Sequence, residues 1–149
     1  MCVRWGNITS GSFNVSNGVR QGGILSPLFF NVYVDDLSIQ LNKLNIGCIY
    51  KDMIINHLMY ADDLVLISPS TAGLQQLIDI CQGFGVTHDI IFNPKKSAVM
   101  FFKPNDSINL NYPQFLLNSE SISSVVEYKY LGCIICDNLS DEKDIIWSG

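Results

Sequence analysis

Two mostly apolar stretches, residues 54–59 and 64–67, flank the polar tetrapeptide Tyr60-Ala61-Asp62-Asp63. Both stretches are rich in β-branched and long aliphatic residues, which are typical of half-buried or buried β-strands. The pattern predicts a hairpin with Asp62 and Asp63 at its tip. Adjacent carboxylates repel each other unless cations neutralise them, so this tip is a candidate site for a divalent ion such as Mg²⁺. The alternative is an ordinary turn, in which Asp caps its own backbone.

Apolar residues recur at helical spacing in two further segments. The first helix begins at Ser26-Pro27, a favourable cap and first position, and ends near Gly47. Its apolar stripe consists of Phe29, Phe30, Tyr33, Val34, Leu37, Leu41 and Leu44. The second helix follows a cap in residues 68–71 and is closed by Gly83 and Gly85. Its buried face consists of Leu74, Leu77, Ile78 and Cys81.

The remaining apolar runs predict short strands. A first hairpin joins residues 1–5 to residues 13–15 through a turn at Gly6-Asn7. Further strands are predicted at residues 48–50, 53–60, 90–92, 99–102, 115–117 and 121–135, with a loop at 103–113. Residues 140–144 resemble a capped first helical turn, which indicates that the chain is truncated. We therefore expect an α+β fold, an incomplete antiparallel sheet with two packed helices on one face.

The composition fits a single apolar domain. The chain has 149 residues, of which 48% are hydrophobic and 15% are charged, whereas the usual charged fraction is roughly 25%. This length suffices to bury a core. No apolar run approaches the ~20 residues that span a bilayer, and the first residues lack the apolar core of a signal peptide. We expect an intracellular protein, nuclear or cytoplasmic, with no membrane partner.

Cysteines, histidines and a second acidic pair suggest no further chemistry. Five cysteines at irregular spacing predict no disulfide framework, which fits a reducing compartment. Cys133 and Cys136 have C-x-x-C spacing without a second pair, so we interpret them as buried strand residues rather than zinc or redox ligands. Asp35-Asp36 is expected to face solvent on the first helix. His57 and His88 are isolated and are expected to be structural.

Four segments follow one another along the chain: residues 18–31, Tyr60-Ala61-Asp62-Asp63, residues 92–97, and residues 128–132. In this order and spacing they resemble the palm of reverse transcriptases, most closely those of non-LTR (LINE-type) retrotransposons. The resemblance extends from about Phe13 to Leu139. It implies one partial reverse transcriptase domain over residues 1–149. Within it, residues 1–103 form the palm core, and residues 104–149 hold the palm end, a primer-grip-like hairpin and the start of the thumb.

The resemblance implies catalytic roles for the hairpin tip. Asp62 matches the first Asp of the family's Tyr-Ala-Asp-Asp motif, which coordinates catalytic magnesium. Asp63 matches the second Asp, which supports the site. Both are therefore candidate catalytic residues and metal ligands, for Mg²⁺ or for Mn²⁺ in its place. Tyr60 matches the residue that lies near the primer end.

A second motif is implied to contact nucleotide and template. Arg20, Gln21 and Gly22 match the loop that approaches both. Glycine lets a backbone come close to a ligand, and a Gln side chain can both donate and accept hydrogen bonds. The alternative is a simple loop that enters a capped helix, with Arg20 as a solvated charge.

The two later motifs complete the implied site. Lys96 matches a lysine that lies near the triphosphate, where it can offset charge and donate a proton to pyrophosphate. Tyr128 and Gly132 match the hairpin that braces the primer backbone. The alternatives are a turn with two exposed lysines and an ordinary Tyr-Lys-Tyr strand.

The implied function is RNA-directed DNA polymerisation, in which two metal ions assist attack of a primer 3′-hydroxyl on a dNTP. The implied partners are an RNA template, a DNA primer and dNTP, in the full-length parent protein. The family carries a further metal-binding Asp motif some tens of residues before the segment that begins at Gly18, and no match to it precedes Gly18 here. We therefore expect the isolated chain to be inactive.

Two competing interpretations stay open. The chain could be a non-catalytic remnant of a mobile element, or an acidic interaction module without a nucleic-acid role. The net charge of −5 argues against autonomous binding to nucleic acid, although it is compatible with a polymerase core whose basic contacts lie elsewhere. An uncovered hairpin edge beside Val65 and Ile67 also predicts that the chain self-associates.

Overall fold

The structure, a computed structural model, describes residues 2–14, 26–102 and 112–140. In these ranges the chain forms two α-helices, α1 (Ser26–Lys43) and α2 (Thr71–Thr87), and a short 3₁₀ helix, Pro94–Lys96. The strands are β1 (Arg4–Trp5), β2 (Ile8–Thr9), β3 (Cys48–Tyr50), β4 (Met53–Ile55), β5 (His57–Tyr60), β6 (Asp63–Leu66), β7 (Ala98–Val99), β8 (Leu116–Leu117), β9 (Glu120–Ser121), β10 (Ser123–Ser124), β11 (Glu127–Tyr130) and β12 (Cys133–Cys136).

The described strands pair two by two. Five pairs are antiparallel hairpins of consecutive strands, and β7 pairs with β10 in parallel. The predicted mixed α+β class is confirmed. The continuous antiparallel sheet that we expected is not formed by hydrogen bonds within the described ranges, where six separate two-stranded ladders take its place. Strands of two to four residues have few backbone groups to pair beyond their own hairpin.

Helix α1 begins where the sequence predicts and ends slightly earlier. Asn45 adopts a left-handed φ of 51° just beyond Lys43, and asparagine tolerates this conformation at a helix end. The expected terminator Gly47 instead lies against β4, since a Cβ there would stand 2.6 Å from the Ile55 carbonyl oxygen. The interior face of α1 consists of Val34, Leu37 and Leu41.

Helix α2 has the predicted start and a later end. The Ser70 hydroxyl accepts a 3.1 Å hydrogen bond from the backbone N–H of Gly73, which caps the helix. The prediction that Gly83 and Gly85 close the helix is wrong, because α2 continues to Thr87. Its buried face extends one turn further than predicted, to Phe84.

Two hydrophobic clusters share α2. The first joins both helices and consists of Leu37, Leu41, Leu77, Cys81 and Phe84. The second lies between α2 and the C-terminal strands and consists of Ile78, Val99, Phe115, Leu117 and Ile122. Leu66 and Phe92 pack against both clusters. Helix α2 is therefore the central element of the described fold.

Polar side chains on α2 also hold β8. The Gln75 amide oxygen accepts a 3.0 Å hydrogen bond from the Leu116 N–H, and its amide nitrogen donates to the Leu116 carbonyl at 2.9 Å. Two turns later the Gln82 oxygen accepts from the Asn118 N–H at 2.7 Å. These side chains satisfy backbone groups that a neighbouring strand would otherwise pair.

Several predicted strands differ from the observed ones. The first hairpin turns near Gly6, but β2 (Ile8–Thr9) is the partner of β1 in place of residues 13–15, of which Val15 lies outside the described residues. Residues 90–92 form no strand, since Ile90 and Phe92 pack against the clusters as an irregular segment. The predicted strand at 99–102 is reduced to β7. The expectations for residues 103–111 and 141–149 concern segments outside the described residues.

The burial of the cysteines agrees with the prediction in part. Cys136 is buried as predicted, but Cys133 is exposed, because strand side chains alternate between faces. All five cysteines lie in the described residues and none is paired. Burial raises the pKa of the Cys81 thiol to about 12, so this side chain stays neutral in the core.

Neither of the described helices is long and apolar enough to cross a membrane.

Candidate active site

The Tyr60-Ala61-Asp62-Asp63 segment forms the closed end of the β5–β6 hairpin. Tyr60 and Asp63 are the last ladder pair, and Ala61 and Asp62 form the connecting turn. Ala61 has a φ of 50°, and a positive φ at the first central position is typical of two-residue hairpin turns. The geometry places Asp62 at the tip and Asp63 at the first position of β6.

The two faces of this hairpin differ. Directly paired residues share a face, and Leu64 and Leu66 of β6 pack against the cluster between α1 and α2. The opposite face carries Leu58, Tyr60 and Asp63, and Tyr60 is 63% exposed. The inward face thus anchors the hairpin, while the Asp63 carboxylate and the Tyr60 ring face solvent.

The chemistry of the tip suits a hard divalent cation. Both carboxylates are exposed and occupy consecutive positions. Mg²⁺ is usually held by one or two carboxylates together with water and substrate phosphates, which is the kind of donor set that this turn offers. The described residues contain no group of three or more His, Cys, Asp or Glu side chains that could hold a metal.

A polar network supports the other end of the hairpin. Asn56, between β4 and β5, is 1% exposed, and its amide nitrogen donates a 2.8 Å hydrogen bond to the Leu41 carbonyl. The His57 ring bridges the Asn56 amide oxygen, at 2.6 Å from Nδ1, and the Ser38 hydroxyl, at 2.8 Å from Nε2. Burial lowers the pKa of His57. The structural role expected for His57 agrees with this geometry, whereas Ser38 and Asn56 were not expected from sequence.

Lys96 lies on a separate segment, the 3₁₀ helix Pro94–Lys96. The Asn93 side chain accepts a 3.0 Å hydrogen bond from the Lys95 N–H, and the Asn93 carbonyl accepts from the Ser97 N–H at 3.1 Å. Lys96 itself is exposed. The Asn and Ser of this motif therefore shape the turn, which leaves the lysine in solvent.

Tyr128 and Gly132 lie on the β11–β12 hairpin. Tyr128 pairs with Ile135 and is partly exposed. Leu131 and Gly132, with φ values of 49° and 92°, form the two-residue turn. Positive φ at both positions defines the tight turn that matches the twist of the strands, so Gly132 has a clear conformational function here.

The remaining predicted site residues, Arg20, Gln21 and Gly22, lie outside the described residues. The structure thus brings Tyr60, Asp62 and Asp63 together on one hairpin, and places Lys96 and the Tyr128–Gly132 turn on two other segments. The other expectations about polar residues agree with the structure: Asp35 and Asp36 are exposed, and His88 caps α2 and stacks on Phe84.

Comparison with known proteins gives one consistent answer. Residues 2–135 match a family model described as reverse transcriptase (RNA-dependent DNA polymerase). A Pol polyprotein of the type-2 retrotransposable element R2DM from Drosophila melanogaster is 34% identical over 130 residues, which cover 83% of this chain and 12% of the relative. An R2 polyprotein from Popillia japonica is 28% identical over 85% of the chain and 22% of its own length. The polymerase of the mobile element jockey from Drosophila funebris is 28% identical over 88% of the chain and 14% of its own length. The chain thus spans less than a quarter of the length of these relatives.

Proposed function

The chain belongs to the reverse transcriptase family, as a region of a LINE-type retrotransposon, and on that premise we propose that it supplies the catalytic palm region of an RNA-directed DNA polymerase. The observation that carries this proposal is the β5–β6 hairpin, which holds Asp62 and Asp63 at consecutive positions of an exposed tip. Reverse transcriptases use divalent metal ions. The palm fold, Mg²⁺ as the natural ion and an intracellular site of action belong to the same proposal.

In the proposed reaction, Asp62 and Asp63 are the residues that would hold divalent ions at the hairpin tip. Such ions, when bound, would lower the pKa of the primer 3′-hydroxyl and offset charge on the departing pyrophosphate. The 3′-oxygen attacks the α-phosphorus of the dNTP, and the bond between the α-phosphorus and the bridging oxygen to the β-phosphorus breaks. Tyr60, exposed on the same hairpin face as Asp63, lies against the primer end.

Other segments bind the proposed substrates, an RNA template, a DNA primer and dNTP. Lys96 donates to the triphosphate, for which its exposure at the 3₁₀ turn leaves it available. The Tyr128–Gly132 turn braces the primer, and the proposed nucleotide and template contacts of Arg20, Gln21 and Gly22 are predictions from the motif alone.

Binding of Mn²⁺ tests the metal site directly. We expect substoichiometric Mn²⁺ to broaden the amide NMR signals of residues 60–64 first, because two exposed carboxylates occupy consecutive positions at one hairpin tip there. We expect Asp62→Asn to abolish this preference. The exposed pair Asp35-Asp36 is a matched control, since it offers the same two consecutive carboxylates on helix α1 instead of at a hairpin tip. Equal broadening at both acidic pairs would contradict the proposed site.

We also propose that the chain self-associates through its hairpins. Ile49, Leu58 and Tyr60 are 77%, 49% and 63% exposed, and they lie on two-stranded ladders whose outer edges pair with no other described strand. Apolar strands with open edges favour pairing between copies, and the low charge density provides little repulsion.

Sedimentation velocity tests this proposal. We expect the wild-type chain to form dimers or larger species, and Ile49→Lys combined with Leu58→Lys to shift the population towards monomer. Ile91→Lys is the control, because Ile91 is 88% exposed but lies outside the strands. A wild-type monomer at high micromolar concentration with a sharp cooperative melt would rule the proposal out.

A further inference from the structure

Three polar side chains meet where the candidate metal hairpin joins the helical layer. Asn56 lies in the break between β4 and β5, His57 is the first residue of β5, and Ser38 lies on α1. The His57 ring is hydrogen-bonded on both sides, to Asn56 at 2.6 Å and to Ser38 at 2.8 Å. Because Asn56 also reaches the Leu41 carbonyl of α1 at 2.8 Å, the hairpin root is bonded to the helix at two positions.

The direction of each hydrogen bond follows from the chemistry of the groups. The Leu41 carbonyl can only accept, so the Asn56 amide nitrogen faces it and the Asn56 oxygen must accept from His57 Nδ1–H. A neutral imidazole then has no proton on Nε2, which accepts from the Ser38 hydroxyl. Leu41 lies in the last turn of α1, and its carbonyl oxygen also accepts a 3.2 Å hydrogen bond from the Leu44 N–H. Asn56 therefore supplies a second donor to this carbonyl at the helix end.

This network lies at the end of the hairpin opposite to the carboxylates. His57 pairs with Leu66, three ladder steps from the Tyr60–Asp63 pair, a distance of about 10 Å at 3.3 Å per residue. The Ile67 N–H donates to the Asn56 carbonyl at 2.8 Å, which extends the ladder into the network. A shift of β5 by one residue along α1 would turn its side chains to the opposite face. The network opposes such a shift, because only one placement of β5 brings His57 to Ser38 and Asn56 to the Leu41 carbonyl.

We propose that Ser38, Asn56 and His57 form a positioning network that fixes the register and orientation of the β5–β6 hairpin on α1, and thereby the place of the Asp62–Asp63 turn. These are positioning residues, since they lie at the root of the hairpin and act on the tip through the ladder. Hydrophobic contacts of Leu64 and Leu66 hold the hairpin against the cluster, but such contacts are non-directional. Satisfied buried polar networks specify a single arrangement. The part of the inference that concerns the metal turn rests on the function proposed above.

The test compares Asn56→Leu with Asn42→Leu in the 149-residue chain. Leucine has the same branching and the same number of side-chain heavy atoms as asparagine but no polar atom, so Asn56→Leu removes the hydrogen bonds of the network without leaving a cavity. Exposed Asn42 on α1 provides the matched control. In the wild type we expect ¹⁵N NMR to show neutral His57 protonated on Nδ1, and in Asn56→Leu a shift to Nε2. We also expect hydrogen exchange of the β5 and β6 amides to become about tenfold faster in Asn56→Leu, with α2 unchanged. Asn42→Leu should behave as wild type.

The outcomes separate this inference from the proposed function. An Nε2-protonated His57 in the wild type, or unchanged hairpin exchange in Asn56→Leu, would overturn the positioning network whatever the metal result. If the wild type shows Mn²⁺ broadening at residues 60–64, we expect Asn56→Leu to weaken it several-fold, and equal broadening would overturn the proposed effect on the turn.

If the wild type shows no Mn²⁺ preference for the turn, the metal role fails, and with it the effect on the turn. Exchange and the tautomer then decide the register role alone. An Asn56→Leu chain that fails to fold is replaced by Ser38→Ala, for which the same hairpin amides should exchange faster.

Discussion

Replacing Gly85 with alanine is expected to destabilise the fold by about 3 kcal/mol, the upper range for overpacking a core. Gly85 is buried in α2, and a Cβ there would stand 2.4 Å from the carbonyl oxygen of Ile90. This neighbour is backbone, in the segment that returns from α2 along the helix, and the Ile90 N–H is bonded at 3.0 Å to the Gly85 carbonyl itself. The contact cannot be relieved by a side-chain rotation. Urea unfolding followed by circular dichroism measures the loss.

Gly83→Ala is the matched control on the same helix. Gly83 is exposed, and a Cβ there would meet nothing within 4 Å. Since glycine in a helix interior costs about 0.5–1 kcal/mol relative to alanine, this variant should be more stable than wild type. The same substitution two residues apart should thus have opposite signs. Similar effects for the two variants would show that the close approach of residue 90 to α2 is absent in solution.

Primer extension by the isolated chain is expected to stay at background on poly(rA)/oligo(dT), with either Mg²⁺ or Mn²⁺. The described residues provide two carboxylates on one hairpin and no cluster of three metal-binding side chains, and two-metal transfer requires a clamp on both reacting oxygens. A site that lacks one metal-binding carboxylate loses several kcal/mol of transition-state stabilisation. At 1.36 kcal/mol per factor of ten, the rate then falls by more than about a hundredfold. Incorporation of labelled dTTP measures the rate.

Asp62→Asn and Asp36→Asn complete this experiment. Extension that exceeds background and disappears in Asp62→Asn, but persists in Asp36→Asn, would show that the chain is active and that the expected inactivity is wrong. Extension that survives Asp62→Asn would instead contradict the catalytic role of Asp62. Asp36 is exposed on α1 and carries the same charge, so it controls for the loss of a carboxylate.

Local signals in the sequence predicted the helices and the candidate hairpin. Ser70 caps α2 because its hydroxyl bonds within the first turn, which is a contact that depends on residues close in sequence. The acidic turn follows from two apolar strands with a short polar connection. In each case the relevant neighbours lie within a few positions along the chain, so pattern and propensity suffice.

Features determined by distant contacts were missed. Gly85 looked like a helix end, yet its role is to admit the backbone of residue 90. The apolar run at residues 90–92 looked like a strand, yet it packs on the clusters without pairing, and Ile91 is 88% exposed. The parallel pairing of β7 with β10 joins residues that are 25 positions apart, Ala98 and Ser123. No local pattern encodes such a partner.

The candidate site was predicted only in part, because some of its contacts are local in sequence and others join distant residues. The Asp62–Asp63 turn is local, and its placement at a hairpin tip agrees with the structure. The network at Asn56 joins residues 19 positions apart, Ser38 and His57, and only one sequence feature pointed to it: a polar Asn-His pair inside an apolar run. The roles of Lys96 and of the loop at Arg20 stay predictions.

The way in which α2 holds β8 has a consequence for how this sequence can change over generations. Gln75 and Gln82 bond to peptide groups of residues 116 and 118, and the side chain of Leu116 is 49% exposed. Every amino acid except proline presents the same peptide N–H. Substitutions at position 116 other than proline therefore preserve the hydrogen bonds to Gln75, whereas loss of either glutamine removes the bonds that this side chain makes. Across descendants of this element, we expect the residue at position 116 to vary while Gln75 and Gln82 are retained. The contact between α2 and β8 would then be visible in the sequence of the helix and not in that of the strand.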